Sequence, residues 1–212
     1  MTSGVQPRRD YDAGPGSVFQ IMEKLTSQSF NRNIYTFKTF NQDLAFIISH
    51  LGLIRKTMRD LDQAFVEKIM TVVTAVNGCR YCSWFHARQA VASGISPEEV
   101  QQMLKLQFQA DANKEELTAL LYAQHYAETQ RKPSPEMKEK LVAEYGPEKA
   151  QEIQVVIRMI TFGNLSGNTF DAFLSRLKGA KAKGSNLIFE LVFFIFGAPF
   201  LLPLLPKLRP AE

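Results

Sequence analysis

The sequence predicts an all-α fold, a helical bundle built around a helix hairpin that carries a Cys-x-x-Cys pair. Three observations lead there. Apolar residues recur at spacings of three and four through several windows, and helix caps and turn residues separate those windows at helix-like intervals. Between turn signals no stretch alternates apolar with polar residues as a half-buried strand would, and no segment repeats at a fixed period. At 212 residues, with 45% hydrophobic and 22% charged content, the chain can bury a core of its own.

The elements follow in order. Residues 1–17 are rich in Gly, Pro and charge and read as an N-terminal arm, ordered only if it docks. The helical domain is expected over 18–178. Its first clear signal is Phe37, Phe40, Leu44, Ile47, Ile48 and Leu51, one face of an amphipathic helix that Gly52 is expected to close. Leu61 to Val76 repeats the signal through Phe65, Ile69, Val72 and Val73. Asn77-Gly78 marks a turn, and a helix running from near Cys79 to Gly94 completes a hairpin. Trp84 and Phe85 are expected to pack in its core.

Ser96-Pro97-Glu98-Glu99 is a capping box with Pro at the first helical position, and Asn113 with Glu116 resembles another. Ser134-Pro135 opens a further helix, which Gly146-Pro147 breaks before a long stretch from Glu148 to Leu177. Beyond a short basic connector lies the apolar tail of 179–212, in which Leu187 to Leu205 is about long enough to span a bilayer. Glu190, Pro199 and Pro203 make it a poor spanning helix, so burial against the protein or a neighbouring subunit is expected over membrane contact.

Composition excludes several classes. The formal charge of +4, from 25 basic against 21 acidic residues, is spread along the chain, and no basic helix carries interleaved aromatics. Nucleic acid is therefore set aside as a partner. The N-terminal arginines precede no apolar stretch of the secretory kind, so a cytoplasmic location is the default expectation. No glycine-rich phosphate loop or nucleotide fingerprint is visible, so no cofactor is implied.

Chemistry concentrates between Glu67 and His86. The chain's two cysteines lie three positions apart, which cannot form the framework of a disulfide-stapled secreted domain and points to redox chemistry or metal. Cys79, Cys82 and His86 fall at i, i+3 and i+7 and share one helix face. The hairpin register brings Glu67 to the height of His86 within about 3 Å, at about 1.5 Å rise per residue. In the first helical turn, free N–H groups and the macrodipole favour an anion, so a lowered thiol pKa is expected. Glu67, His86 and Cys82 thus have the pattern of orienter, base and nucleophile.

The spacing E-x11-C-x2-C-x3-H, realised as Glu67, Cys79, Cys82 and His86, resembles the active-site motif of alkylhydroperoxidase D-like proteins, within the carboxymuconolactone decarboxylase superfamily. The resemblance covers roughly Phe40 to Leu106. It implies that Cys82 is the attacking thiolate, Cys79 its resolving partner, and Glu67 with His86 a proton relay. It also implies a thiol-dependent antioxidant peroxidase or disulfide reductase acting on a hydroperoxide or disulfide. A lipoyl-bearing or thioredoxin-like protein would be the reductant, and the chain would form a homo-oligomer. Some peroxidase members carry a relay His between the cysteines, where this chain has Arg80 and Tyr81. Tyr81 is expected to donate a hydrogen bond or pack, and Arg80 to help stabilise a thiolate if it turns toward the site.

Rival readings remain at this level. They are a redox-responsive binding or oligomer-switching protein without turnover, a carboxymuconolactone-type lyase, a zinc site on Cys79, Cys82 and His86, and plain buried cysteines. His50 and His125 are expected to be hydrogen-bonded structural residues. Asn164, Asn168 and Asp171 suggest a packed polar helix face.

Overall fold

The computed structural model describes residues 30–107 and 114–208, and among them every regular element is a helix. The expectations for the N-terminal arm, for residues 18–29 and for an Asn113 cap lie outside the described residues. The first two helices, α1 (Phe37–Ser49) and α2 (Leu51–Asp60), are separated by His50. Gly52 therefore sits inside α2 and does not close the first helix. The break falls at His50 because its backbone leaves the helical region (φ −115°, ψ 17°) while its ring stacks back on Phe46.

Helix α3 (Gln63–Asn77) begins at Asp62, whose carboxylate accepts the Phe65 N–H at 2.9 Å. It ends at Gly78, left-handed at φ 65°, a conformation that costs glycine nothing. Helix α4 (Arg80–Ala92) runs back, and its chain leaves through Gly94 at φ 93°. Helix α5 (Pro97–Leu104) has Ser96 as its cap, with the Ser96 side chain accepting the Glu99 N–H. Helix α6 (Lys114–Glu128) follows.

The longest element, α7 (Pro135–Leu177), starts at the Ser134 cap and is broken at Gly146, where φ 74° and ψ 165° are followed by Pro147. Helix α8 (Leu187–Leu201) is capped by Asn186 and continues as a 3₁₀ helix over Leu202–Leu208.

The core centres on α3, which packs on α4, α5, α6 and α7. Val66, Ile69, Val72 and Val73 are fully buried there, at roughly 1.5–3 kcal/mol of burial each. Ile153, Val156 and Ile157 of α7 meet them from one side, and Ala119, Tyr122 and Ala123 of α6 join the same cluster. A second, smaller cluster forms where α4 meets the C-terminal segment. There Cys79, Tyr81, Phe170 and Leu208 are buried together, with Cys82, Trp84, Phe194 and Leu201 packed on them.

Candidate active site

The α3–α4 hairpin brings the four residues of the motif together. Gly78 turns the chain so that Cys79 becomes the N-cap of α4, with its Sγ accepting the Cys82 N–H at 3.4 Å. The two thiols are free and their sulfurs lie 2.6 Å apart. Cys79 is fully buried and Cys82 partly exposed, so the two are not equivalent to an incoming reagent.

Across the hairpin, His86 Nδ1 lies 2.8 Å from Glu67 Oε2, while Gln63 Nε2 donates to the other oxygen, Oε1, at 3.0 Å. Glu67 is buried inside the hairpin. A carboxylate only accepts, so the Nδ1 contact places the imidazole proton on Nδ1 and leaves Nε2 as the free nitrogen of the neutral ring. The hairpin register thus brings Glu67 and His86 to the same height and into contact. His86 stands one helical turn beyond Cys82 on the same helix, the relation that makes side chains neighbours.

The expectation of a lowered thiol pKa does not hold for Cys82. Its thiol is pushed well above the ordinary value, first by the hydrogen bond with Cys79, then by burial and by the charge of Cys79. Two thiols this close share one negative charge at most before repulsion opposes the second. The helix terminus favours an anion at the pair, and desolvation under the C-terminal segment works against it.

Arg80 and Tyr81 do not face the thiols as a relay would. Both serve Asp171 of α7: Tyr81 Oη donates to Oδ1 at 2.6 Å and Arg80 Nη2 to the same oxygen at 2.5 Å. Arg32 donates to Oδ2 at 2.8 Å. Burial and the Asp171 carboxylate hold the Tyr81 phenol far above its usual range, so it is a fixed donor and no base. Arg80 is thereby engaged with Asp171 and is not available as expected for the thiolate.

Helix α7 presents a stripe to the hairpin turn that sequence reasoning described only as a packed polar face. Asn164 accepts from the Thr74 hydroxyl at 3.0 Å, and Asn168 Nδ2 donates to the carbonyls of Asn77 at 2.8 Å and Asn33 at 3.0 Å. With Asp171 and Gly167 these residues fall at i, i+3, i+4 and i+7, one face of α7. Gly167 lies directly against the pair: a Cβ built there would sit 2.8 Å from Cys79 Sγ. The signal available in sequence was this polar and glycine periodicity in an otherwise apolar helix, and nothing local says which turn it meets.

Trp84 packs against the thiol cluster, with Arg88 and Lys207 over its ring, whereas Phe85 is 48% exposed and not part of the hairpin core. It projects outward from α4, away from the faces that pack on α3, α5, α7 and the C-terminal segment. His125 Nε2 accepts the Ser134 N–H at 3.1 Å and holds the turn into α7. His50 Nδ1 contacts Ser49 Oγ and the Phe46 carbonyl. Among the described residues no three His, Cys, Asp or Glu side chains converge as a metal site would.

The sequence model of the carboxymuconolactone decarboxylase family matches residues 44–125. No curated protein matches the chain as a sequence relative. A crystal structure of a cysteine-to-alanine variant of the debrominase Bmp8, in complex with 2,3,4-tribromopyrrole, is similar at 17% identity and a TM-score of 0.47. The likeness covers 92% of this chain and 98% of that one. Glu67, Cys79, Cys82 and His86 all lie inside the segment that resembles the carboxymuconolactone decarboxylase family.

Proposed function

We propose that the chain is a thiol-dependent peroxidase or disulfide reductase in which Cys82 attacks, Cys79 resolves, and Glu67 with His86 moves the proton. The observation that carries this reading is the pair of free thiols 2.6 Å apart on the same helix as a histidine held by a buried glutamate. Exposure supports the order of events, since a reagent reaches Cys82 before the fully buried Cys79.

His86 Nε2 takes the Cys82 proton, and the Glu67 carboxylate stabilises the imidazolium that results. The thiolate attacks one oxygen of a hydroperoxide. The O–O bond breaks, and the leaving alkoxide takes the proton back from His86 to depart as alcohol. Cys82 is now a sulfenic acid. Cys79 attacks its sulfur, water leaves, and a disulfide closes between the two. With a disulfide substrate the first step gives a mixed disulfide, which Cys79 resolves in the same way. A dithiol of the lipoyl or thioredoxin class returns two electrons and two protons.

The test is multiple turnover with an organic hydroperoxide and dihydrolipoamide. Cys82→Ser is expected to abolish turnover, and Cys79→Ser to react once and leave a sulfenic acid on Cys82 that dimedone traps. Activity on a lactone that survives alkylation of both thiols would replace this reading with a lyase. A single oxidation with no turnover under any dithiol would replace it with a redox switch.

A further inference from the structure

Apart from Glu190, helix α8 is apolar on every side, yet among the described residues only one side is covered. Toward α7, Phe194 stacks on Phe170 at 5.4 Å, and toward α1, Phe193 meets Phe40 at 5.1 Å. On this inner face Glu190 is buried against Arg176, whose Nε and Nη2 reach its two oxygens at 2.7 and 2.9 Å. The single carboxylate of helix α8 is thus engaged inside the protein.

The outer face is a continuous stripe at helical spacing: Ile188, Leu191, Val192, Ile195 and Phe196 fall at i, i+3, i+4, i+7 and i+8, and Phe200 extends it. Ile188 and Phe196 are each 74% exposed and Phe200 75%. The stripe has no polar side chain, whereas a protein–protein interface of ordinary size carries about one hydrogen bond per 100–200 Å². From Leu187 to Leu208 the segment has the length and mean hydropathy, 2.3, of a membrane span. The Glu190–Arg176 pair and the contact with α7 hold it flat on the protein instead.

Charge selects the occupant. Both ends of the stripe are basic, with exposed Lys178, Lys181 and Lys183 before α8 and exposed Lys207 after it. Glu190 is the one acidic residue between 172 and 208, and it is already neutralised. A second copy laid on this face, parallel or antiparallel, would bring lysines against lysines. An anionic lipid surface complements both the apolar stripe and its cationic ends.

We propose that α8 docks the protein on anionic membrane surfaces, lying in the interface with Ile188, Ile195, Phe196 and Phe200 immersed and the lysines on the headgroups. The docking is monotopic, with the inner face remaining on α7. It stands on the outer face of α8 alone and does not depend on the thiol chemistry.

The experiment is co-flotation of the full-length protein with vesicles of phosphatidylcholine alone or with 30% phosphatidylserine. Strong flotation with the anionic vesicles is expected, weakening in high salt. Phe196→Glu with Phe200→Glu is expected to lower the partition coefficient at least tenfold. Lys181→Gln with Lys183→Gln is expected to lower it by about fivefold per lysine. These side chains are exposed, so circular dichroism should be unchanged. A Phe196→Ser variant, milder in its effect on solubility, serves as the second immersion probe. No flotation with anionic vesicles would overturn the proposal, as would flotation indifferent to all of these changes. A stable dimer that Phe196→Glu separates, in a protein that ignores vesicles, would assign the face to a second copy.

Discussion

At the scale of single residues, the environment of Cys82 sets the pH behaviour. Its thiol is raised by the Cys79 hydrogen bond and by burial, so the thiolate fraction is small at neutral pH and grows as pH rises past the free-thiol value of about 8.5. Alkylation of Cys82 is therefore expected to be slow at neutral pH and to accelerate into the alkaline range, the reverse of an activated thiolate. Cys79→Ser weakens the thiol–thiol coupling and should shift that profile toward lower pH. A base is most useful to such a thiol, which gives His86 its role. His86→Ala is expected to slow peroxide oxidation at least tenfold at neutral pH, with the loss shrinking as pH rises. Glu67→Gln should act in the same direction and more weakly. Oxidation rates measured against pH for the three variants check this, and parallel profiles would remove the proton relay.

At the scale of elements, α7 positions the hairpin turn, and two of its glycines separate packing from propensity. Among the described residues Gly163 has nothing within 4 Å of the place its Cβ would take, whereas at Gly167 the Cβ would stand 2.8 Å from Cys79 Sγ. Alanine in a helix is favoured over glycine by about 1 kcal/mol, so Gly163→Ala should stabilise by about that amount. Gly167→Ala should destabilise by about 1–3 kcal/mol through overpacking and also slow disulfide closure. Asp171→Asn removes the charge that Arg32 and Arg80 share, and a loss of about 3 kcal/mol is expected in chemical unfolding.

These same contacts mark what could be read in the chain. The hairpin was legible because its determinants are local: Asn77-Gly78 fixes the turn, and the Glu67 and His86 spacings fix what meets across it. Caps at Ser96 and Ser134 and the break at Gly146 were legible for the same reason. The Asp171 network was not, since Arg32 lies 139 residues away in sequence and its pairing depends on how α7 crosses the turn. The packing of Cys82 on the cluster that holds Leu208 was hidden likewise, and the Cys79 hydrogen bond, followed by this burial, raises the thiol where its place on the helix argued for a fall.

At the scale of the whole molecule, buried phenols in separate elements tie stability to their protons. Tyr35 lies before α1 and donates to Asp43 at 2.9 Å, Tyr81 lies in α4, and Tyr122 lies in α6. Burial is the largest cause of the upward shift in all three, reinforced at Tyr35 and Tyr81 by an adjacent carboxylate. Tyr122 is pushed up to about 12. In the unfolded chain each phenol titrates near about 10. The folded state therefore keeps protons that the unfolded state releases, and the contribution is complete below about pH 10 and lost as pH climbs past it. Urea unfolding followed from about pH 8 to about pH 12, the upper end being where folded Tyr122 itself titrates, is expected to show a flat plateau and then a steep decline. The Tyr35 and Tyr81 share of tyrosinate absorbance should rise with unfolding and not before it. Tyr122 gives an internal control, because among the described residues its buried hydroxyl has no hydrogen-bond partner. Tyr122→Phe should raise stability at neutral pH by about 1 kcal/mol, by removing an unsatisfied polar atom, and should also shallow the alkaline decline. Titration of all the phenols near about 10 in the intact fold would contradict the burial that organises this core.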